Sequence, residues 1–430
     1  MNTSRFATAG AVALLLAAAA GPIAAQPDAV TAFTGARLID GTGRPTVDNA
    51  TLLVRGGRLV AVGAASSVAI PAGATRVPLT GKWVMPGLVS AHGHVGDTDG
   101  LDGGHYSAAN VMRDLRLYAD YGVTTVFSLG GDGAPSFAAR DAQNTPSLDR
   151  ARIFVAGPVL EPKDPQDARR LVDEDKRLGV NIVKIRVDDN LHTTPKMTPE
   201  VYRAVIDQAH KDGLRAATHV FYLSDAKALL DAGSDFIAHS VRDTDVDADF
   251  IAKMRARKVC YCPTLTREVS TFVYGSTPAF FSDPFFLKHA DMSVVKALED
   301  PARQKAMRES DAAHEYKAGL AVAERNLKKL SDAGVTIAMG TDSGPPARFQ
   351  GYFEQLELEM MVESGLTTGQ ALAAATRDAA SCMHLEEVGT LEPGKWADFL
   401  VLDADPRVDI KNTRKIDSVW IAGNRIVGSR

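Results

Sequence analysis

Between Met85 and Met339 the sequence alternates short apolar runs with stretches of helical period, eight times over. The runs are residues 88–92, 124–127, 152–155, 182–185, 216–219, 236–239, 258–261 and 336–339. Each has the length of a strand, and intervening segments such as 199–212 and 312–333 carry the three-to-four spacing of helices. Eight strand–helix units in series constrain the fold severely. Successive strands must lie parallel with helices packed outside them, and eight of them predict a TIM (β/α)8 barrel of class α/β over residues 85–388.

The flanks read differently. Residues 29–80 hold short strand patterns, with a hairpin turn at Arg55-Gly56-Gly57-Arg58. Strand patterns return at 397–402, 416–421 and 425–427, the last two joined by the turn Gly423-Asn424. This predicts a small β-sandwich made from both chain ends, 26–84 and 389–430. Residues 265–311 interrupt the barrel between its seventh and eighth strands. Loops this long are usually functional, and this one carries Phe272, Tyr274, Phe280, Phe281, Phe285 and Phe286, which suits a lid.

Residues 1–25 have the pattern of a secretory signal: Arg5, an apolar stretch around residues 11–20, then small residues ending at Ala24-Ala25. The apolar run is shorter than the roughly 20 residues a membrane span needs. The expectation is a secreted, bacterial periplasmic protein with no membrane attachment once the signal is cleaved. A net charge of -5 argues against a nucleic-acid partner, which would favour a basic face. The three cysteines are too few for a disulfide scaffold. Cys260 and Cys262 lie nearly 7 Å apart on an extended strand, too far for a comfortable bridge. All three therefore read as small buried hydrophobes.

The chemistry sits at strand ends. His92 and His94 flank Gly93 at the end of the first strand, face one side, and can ligate a metal. Lys184 lies inside the apolar fourth run, where a lysine is costly unless neutralised or paired, with Asp188 as one candidate partner. His219 ends the fifth run, His239 the sixth, and Asp342 follows the eighth. In a TIM barrel the C-terminal strand ends form the active site, so these positions converge.

The run from Val84 to His94, with Val183-Lys184-Ile185, Thr218-His219, Ala238-His239, Gly340-Thr341-Asp342 and the tail from Gly394 to Phe399, resembles the amidohydrolase superfamily across nearly the whole chain after residue 25. The likeness is to its metal-dependent Xaa-Pro and Xaa-Arg/Lys dipeptidases and ochratoxin-type amidases. The resemblance implies two divalent ions. His92, His94 and Asp342 would hold one, and His219 and His239 the other. Lys184, carboxylated by CO₂, would bridge them. The implied reaction is hydrolysis of an amide by a bridging hydroxide, with Asp342 as general acid and base. The implied substrate is a small molecule, a dipeptide or N-acyl amino acid. Zinc suits the donors, with manganese, cobalt and iron as alternatives. Relatives often assemble, so a homo-oligomer is expected. The alternatives are a deaminase, an imidazolone, lactone or organophosphate hydrolase, and a non-catalytic metal-binding protein.

Arg186 faces the same way as Lys184 and is a candidate for a substrate carboxylate, against a plain salt bridge to Asp188 or Asp189. Tyr222, Arg242 and His105 are further candidates to line the pocket.

Overall fold

The computed structural model describes residues 29–427. The signal sequence read at 1–25 lies outside them.

Helices form where the sequence supplies both an apolar stripe and the means to end it. Pro165–Leu178 is representative: Asp164 caps it by accepting from the amides of Gln166 and Asp167, and Pro165 sits in the first turn. Gly179 ends it in the left-handed region at φ 72°, and Ala168 and Val172 face inward.

The strands between the helices pair in parallel. One sheet of five runs Cys260–Cys262, Phe236–Ala238, Ala216–His219, Val183–Arg186 and Val159–Leu160. One of three runs Leu88–Gly93, Val123–Ser128 and Arg152–Val155. The amide of Asn181 donates to Val155 O at 2.8 Å, linking the two groups. The fold is thus α/β with parallel sheets.

Seven of the eight apolar runs are strands. The run at 336–339 is not; it makes an isolated bridge between Ile337 and Tyr261, with Ala338 N donating to Tyr261 O, Tyr261 N to Thr336 O and, on the other side, Ala91 N to Met339 O. The chain turns away at Gly340, where a Cβ would lie 2.7 Å from both Cys262 Sγ and His92 Cβ. The seventh strand also begins later than expected. Lys258 is left-handed, at φ 54°, because it ends helix Ala248–Arg257.

Both chain ends do enter one sheet. Its path is Asn424–Val427, Ile416–Ile421, Phe399–Leu402, Trp83–Pro86, Val30–Leu38, Val47–Arg55 and Arg58–Ala64, with Thr75–Pro78 paired to Val30–Leu38. Antiparallel pairing of Phe399–Leu402 with Trp83–Pro86 joins the two ends. Phe33, Phe399 and Trp420 fill its core, with the Phe33 ring centroid 5.0 Å from Phe399 and 4.7 Å from Trp420.

The 265–311 segment folds into short helices, and its aromatic residues mostly face one another. Tyr274, Phe281 and Phe286 are buried with Tyr121, Tyr352 and Phe353 in a separate apolar cluster. Burial of these rings accounts for their abundance without any ligand.

The reading of the cysteines needs correction. Cys260 and Cys382 form a disulfide across a sequence separation of 122 residues, and only Cys262 is free and buried. Spacing within the strand said nothing of Cys382, which helix Arg377–Cys382 brings to a Cα distance of 5.9 Å. A crosslink closing so long a loop restricts the unfolded chain. Replacing both residues by alanine is expected to lower stability by about 2–5 kcal/mol in urea unfolding. A loss well under 1 kcal/mol would tell against that role. Among the described residues no helix is long and apolar enough to cross a membrane.

Candidate active site

Five of the six predicted ligands sit on strands or just past their ends, and all six are nearly or fully buried except His94. His92 and Lys184 point inward from Leu88–Gly93 and Val183–Arg186 and are 1% and 3% exposed. His219 ends Ala216–His219, and His239 follows Phe236–Ala238. Asp342 follows the isolated bridge. His239 and Asp342 have left-handed backbones, at φ 72° and 57°, as does Thr264 at 49°. Non-glycine residues held there store strain, and such strain clusters at functional sites.

Three groups converge most tightly. Asp342 Oδ1 lies 2.7 Å from His94 Nε2 and 3.3 Å from His92 Nε2, and one ligand atom from each of the three residues falls within 4.8 Å of the others. His94 Nδ1 faces Gly130 O at 2.8 Å, which requires the proton on Nδ1. Nε2 then meets the carboxylate oxygen of Asp342 at hydrogen-bonding distance, an arrangement that a shared cation satisfies. His239 is oriented similarly: Nδ1 meets Thr264 Oγ1 at 2.8 Å, turning Nε2 inward. The His239 ring lies 4.6 Å from His92 and 4.0 Å from His219.

Burial sets the charges. It pushes His92 and His239 well below the usual imidazole range and His219 down to about 3, so all three are neutral, the form that ligates metals. The Lys184 amine has no hydrogen-bond partner, and burial lowers it to about 8. For Asp342 burial acts in the opposite sense, but Arg348 and the two histidines outweigh it and hold the carboxyl well below its usual range. These nitrogen and oxygen donors fit a divalent cation.

His219 Nε2 is turned to Asp188 Oδ2 at 2.7 Å, so the second half of the predicted ligand set is adjacent to the first cluster but separately partnered. Asp188 also takes Arg186, whose Nε donates at 2.9 Å, while Arg186 Nη2 reaches Asn190 at 2.8 Å. Arg186 therefore makes the salt bridge, not a free anion site. Arg242 must also be withdrawn as a pocket residue. It is 0% exposed, donates to Val220 O and Ser240 O, and lies against Phe221 and Glu268. Tyr222 gives its hydroxyl to Asp189 Oδ1 at 2.9 Å, and His105 stands exposed in its loop.

Two features escaped the sequence reading. Glu354, wholly buried, accepts from Thr341 Oγ1 at 2.6 Å, Ser343 Oγ at 2.8 Å, Ser90 Oγ at 3.1 Å and Gly351 N at 2.7 Å. It thereby grips both neighbours of Asp342. Arg348 donates to Asp342 Oδ2, and Arg267 lies behind it. Acidic residues inside the otherwise apolar helix Tyr352–Glu363 were the available signal for Glu354. Beside His94 a cavity of about 290 Å³ opens, lined also by Asp97, Gly130, Val159 and Gly344.

Residues 83–426 match the amidohydrolase family model. The imidazolonepropionase of Streptomyces avermitilis is 25% identical over 395 residues, covering 88% of this chain and 87% of its own length. A provisionally assigned prolidase from Bifidobacterium longum superposes with a TM-score of 0.75 at 26% identity, covering 94% of this chain and 97% of its own. A Xaa-Pro dipeptidase crystallised with methionine in its active site gives 0.75 at 21% identity, covering 93% and 100%. The chain belongs to the amidohydrolase family, whose members are in general metal-dependent, and it is a hydrolase of the kind that acts on C–N bonds.

Proposed function

We propose that the protein hydrolyses the amide bond of a dipeptide or N-acyl amino acid at a centre of two divalent ions, with zinc the best-suited metal. His92, His94 and Asp342 would hold one ion, His219 and His239 the other, and Lys184, as a carbamate, would join them. In this reading the parallel strands close a TIM barrel and the terminal sheet folds over as a sandwich. The observation that carries the proposal is Lys184: a buried amine with no partner, in a pocket of neutral histidines. A pKa near 8 leaves some neutral amine at pH 7, the form able to take up CO₂, and the resulting anion relieves the cost of burying a cation.

Bound ions would supply an acidified water and an electrophile for the scissile carbonyl. The chain's own part is to position and to move a proton. Glu354 fixes the segment bearing Asp342. Arg348 keeps Asp342 ionised, and Asp342 accepts a proton at Oδ2, the oxygen turned away from the imidazoles, and returns it to the leaving nitrogen. The N-terminal pattern and the Cys260–Cys382 bridge both support export to an oxidising compartment such as the periplasm.

Metal content tests the proposal. Wild type purified from zinc-supplemented cells is expected to carry two ions per chain by elemental analysis, and Lys184→Ala one or none. A second reading, a single-ion hydrolase of the imidazolonepropionase kind, is favoured by the compact His92, His94 and Asp342 cluster. One ion in both proteins would establish that reading instead.

A further inference from the structure

Helix Leu265–Ser270 begins after Thr264, a residue type that ordinarily caps its own helix by accepting from the second or third amide. Here it does not. The Thr264 side chain makes no cap hydrogen bond, and its hydroxyl meets His239 Nδ1 at 2.8 Å instead. The cap comes from elsewhere. Glu357, wholly buried on helix Tyr352–Glu363, accepts from Leu265 N through Oε1 and from Thr266 N and Thr266 Oγ1 through Oε2, each at 2.8 Å.

This exchange is held against strain. Thr264 is left-handed, at φ 49° and ψ 49°, where a β-branched residue is an outlier. Such a conformation persists only where its surroundings over-determine it. Glu357 fixes the two residues that follow. Ser240 Oγ fixes the one before by donating to Pro263 O at 2.9 Å, and Ser240 itself adjoins His239. A carboxylate is costly to bury, and the helix had a cap available in Thr264, so the helix alone does not call for Glu357. Glu354 lies three residues earlier on the same face of the helix and holds Thr341 and Ser343 around Asp342. One helix thus carries one acid for each half of the candidate ligand set.

We propose that Glu357 is a positioning residue of the active site: by capping helix Leu265–Ser270 in place of Thr264, it frees the Thr264 hydroxyl to orient His239. Without Glu357 the hydroxyl turns back to the amides of its own helix, and His239 loses the partner that aims Nε2 inward. The inference rests on the two-ion reading above.

The test is a calorimetric zinc titration of the metal-stripped protein. Glu357→Gln keeps one acceptor oxygen where two are needed, and Thr264→Val keeps the shape and loses the hydroxyl. In each, one of the two zinc steps is expected to weaken by about 10- to 100-fold while the other stays within about threefold of wild type. Thr264→Ser is expected to match wild type. Glu357→Gln should add no further loss in the Thr264→Val background, since both act through one contact. Equal weakening of both steps, impairment of Thr264→Ser to the level of Thr264→Val, or additive losses in the double variant overturns the proposal and marks a structural role. If Glu357→Gln does not fold, Glu357→Asp, which keeps the charge and shortens its reach, is read by the same criteria. If wild type takes up a single ion, the two-ion reading fails, and the imidazole NMR spectrum of the histidine-labelled, metal-free protein decides the inference. A slowly exchanging His239 Nδ1–H in wild type that is lost in Glu357→Gln and in Thr264→Val supports it. The same signal in all three proteins, or in none, overturns it.

Discussion

Asp342→Asn is expected to lower kcat by about 10²- to 10⁴-fold, the range for removing a positioned general acid and base. Asparagine preserves the shape of the side chain and can still present an oxygen toward His92 and His94. It cannot take up a proton at Oδ2. The same change withdraws the anion that faces Arg348 and Arg267, so two buried guanidiniums lose their nearest counter-charge on that side. Kinetics and metal content must therefore be read together. A large fall in kcat with metal retained assigns Asp342 the proton; a fall with one ion lost assigns it mainly to ligation. A variant within tenfold of wild type would remove Asp342 from the chemistry altogether. Because Arg348 and the histidines hold the carboxyl well below its usual range, the wild-type rate should not fall on the acidic side through titration of this group until well below pH 4.

The positions of most of the candidate ligands were legible because each ends or interrupts an apolar run at the C-terminal end of a parallel strand, where neighbouring strands bring such groups together. His92, His219 and His239 needed only that rule. What the rule leaves out is the partner of each group. His219 and Arg186 both turn to Asp188, and nothing in local spacing distinguishes a carboxylate that neutralises a ligand from one that faces solvent. Arg267 and Arg348 come from segments 81 residues apart, so their approach depends on how the 265–311 segment and the 342–350 loop pack. The same holds for Cys260 and Cys382. The eighth run shows a different limit. Its apolar character is right for a strand, but Gly340 and the left-handed Asp342 divert the chain before a ladder can extend. In the inserted segment, aromatic density reflected a second core, since rings that bury one another are as strongly selected by packing as by a ligand.

The largest stability effect should come from the joint between the parallel strands and the terminal sheet. Arg152, at the start of Arg152–Val155, and Asp398, just before Phe399–Leu402, are 1% and 3% exposed. Arg152 Nε donates to Asp398 Oδ2 at 2.6 Å, Nη1 to Gln143 O at 3.1 Å, and the guanidinium lies 4.0 Å from the centre of the Trp396 ring. Asp398 Oδ1 also accepts from Ala422 N at 2.7 Å, tying in the turn after Ile416–Ile421. Asp398→Ala removes the acceptors of Arg152 Nε and Ala422 N and leaves a guanidinium without its counter-charge in a dry interior. The expected loss is about 3–5 kcal/mol in urea unfolding. The paired change Arg152→Met with Asp398→Ala should recover a large part of that loss, because the penalty comes from the stranded charge more than from the missing attraction. Failure of the double variant to recover would instead locate the energy in the bond to Ala422 and the packing on Trp396. A single-variant loss below 1 kcal/mol would mean that the terminal sheet is held by its apolar core around Phe33, Phe399 and Trp420 and not by this pair.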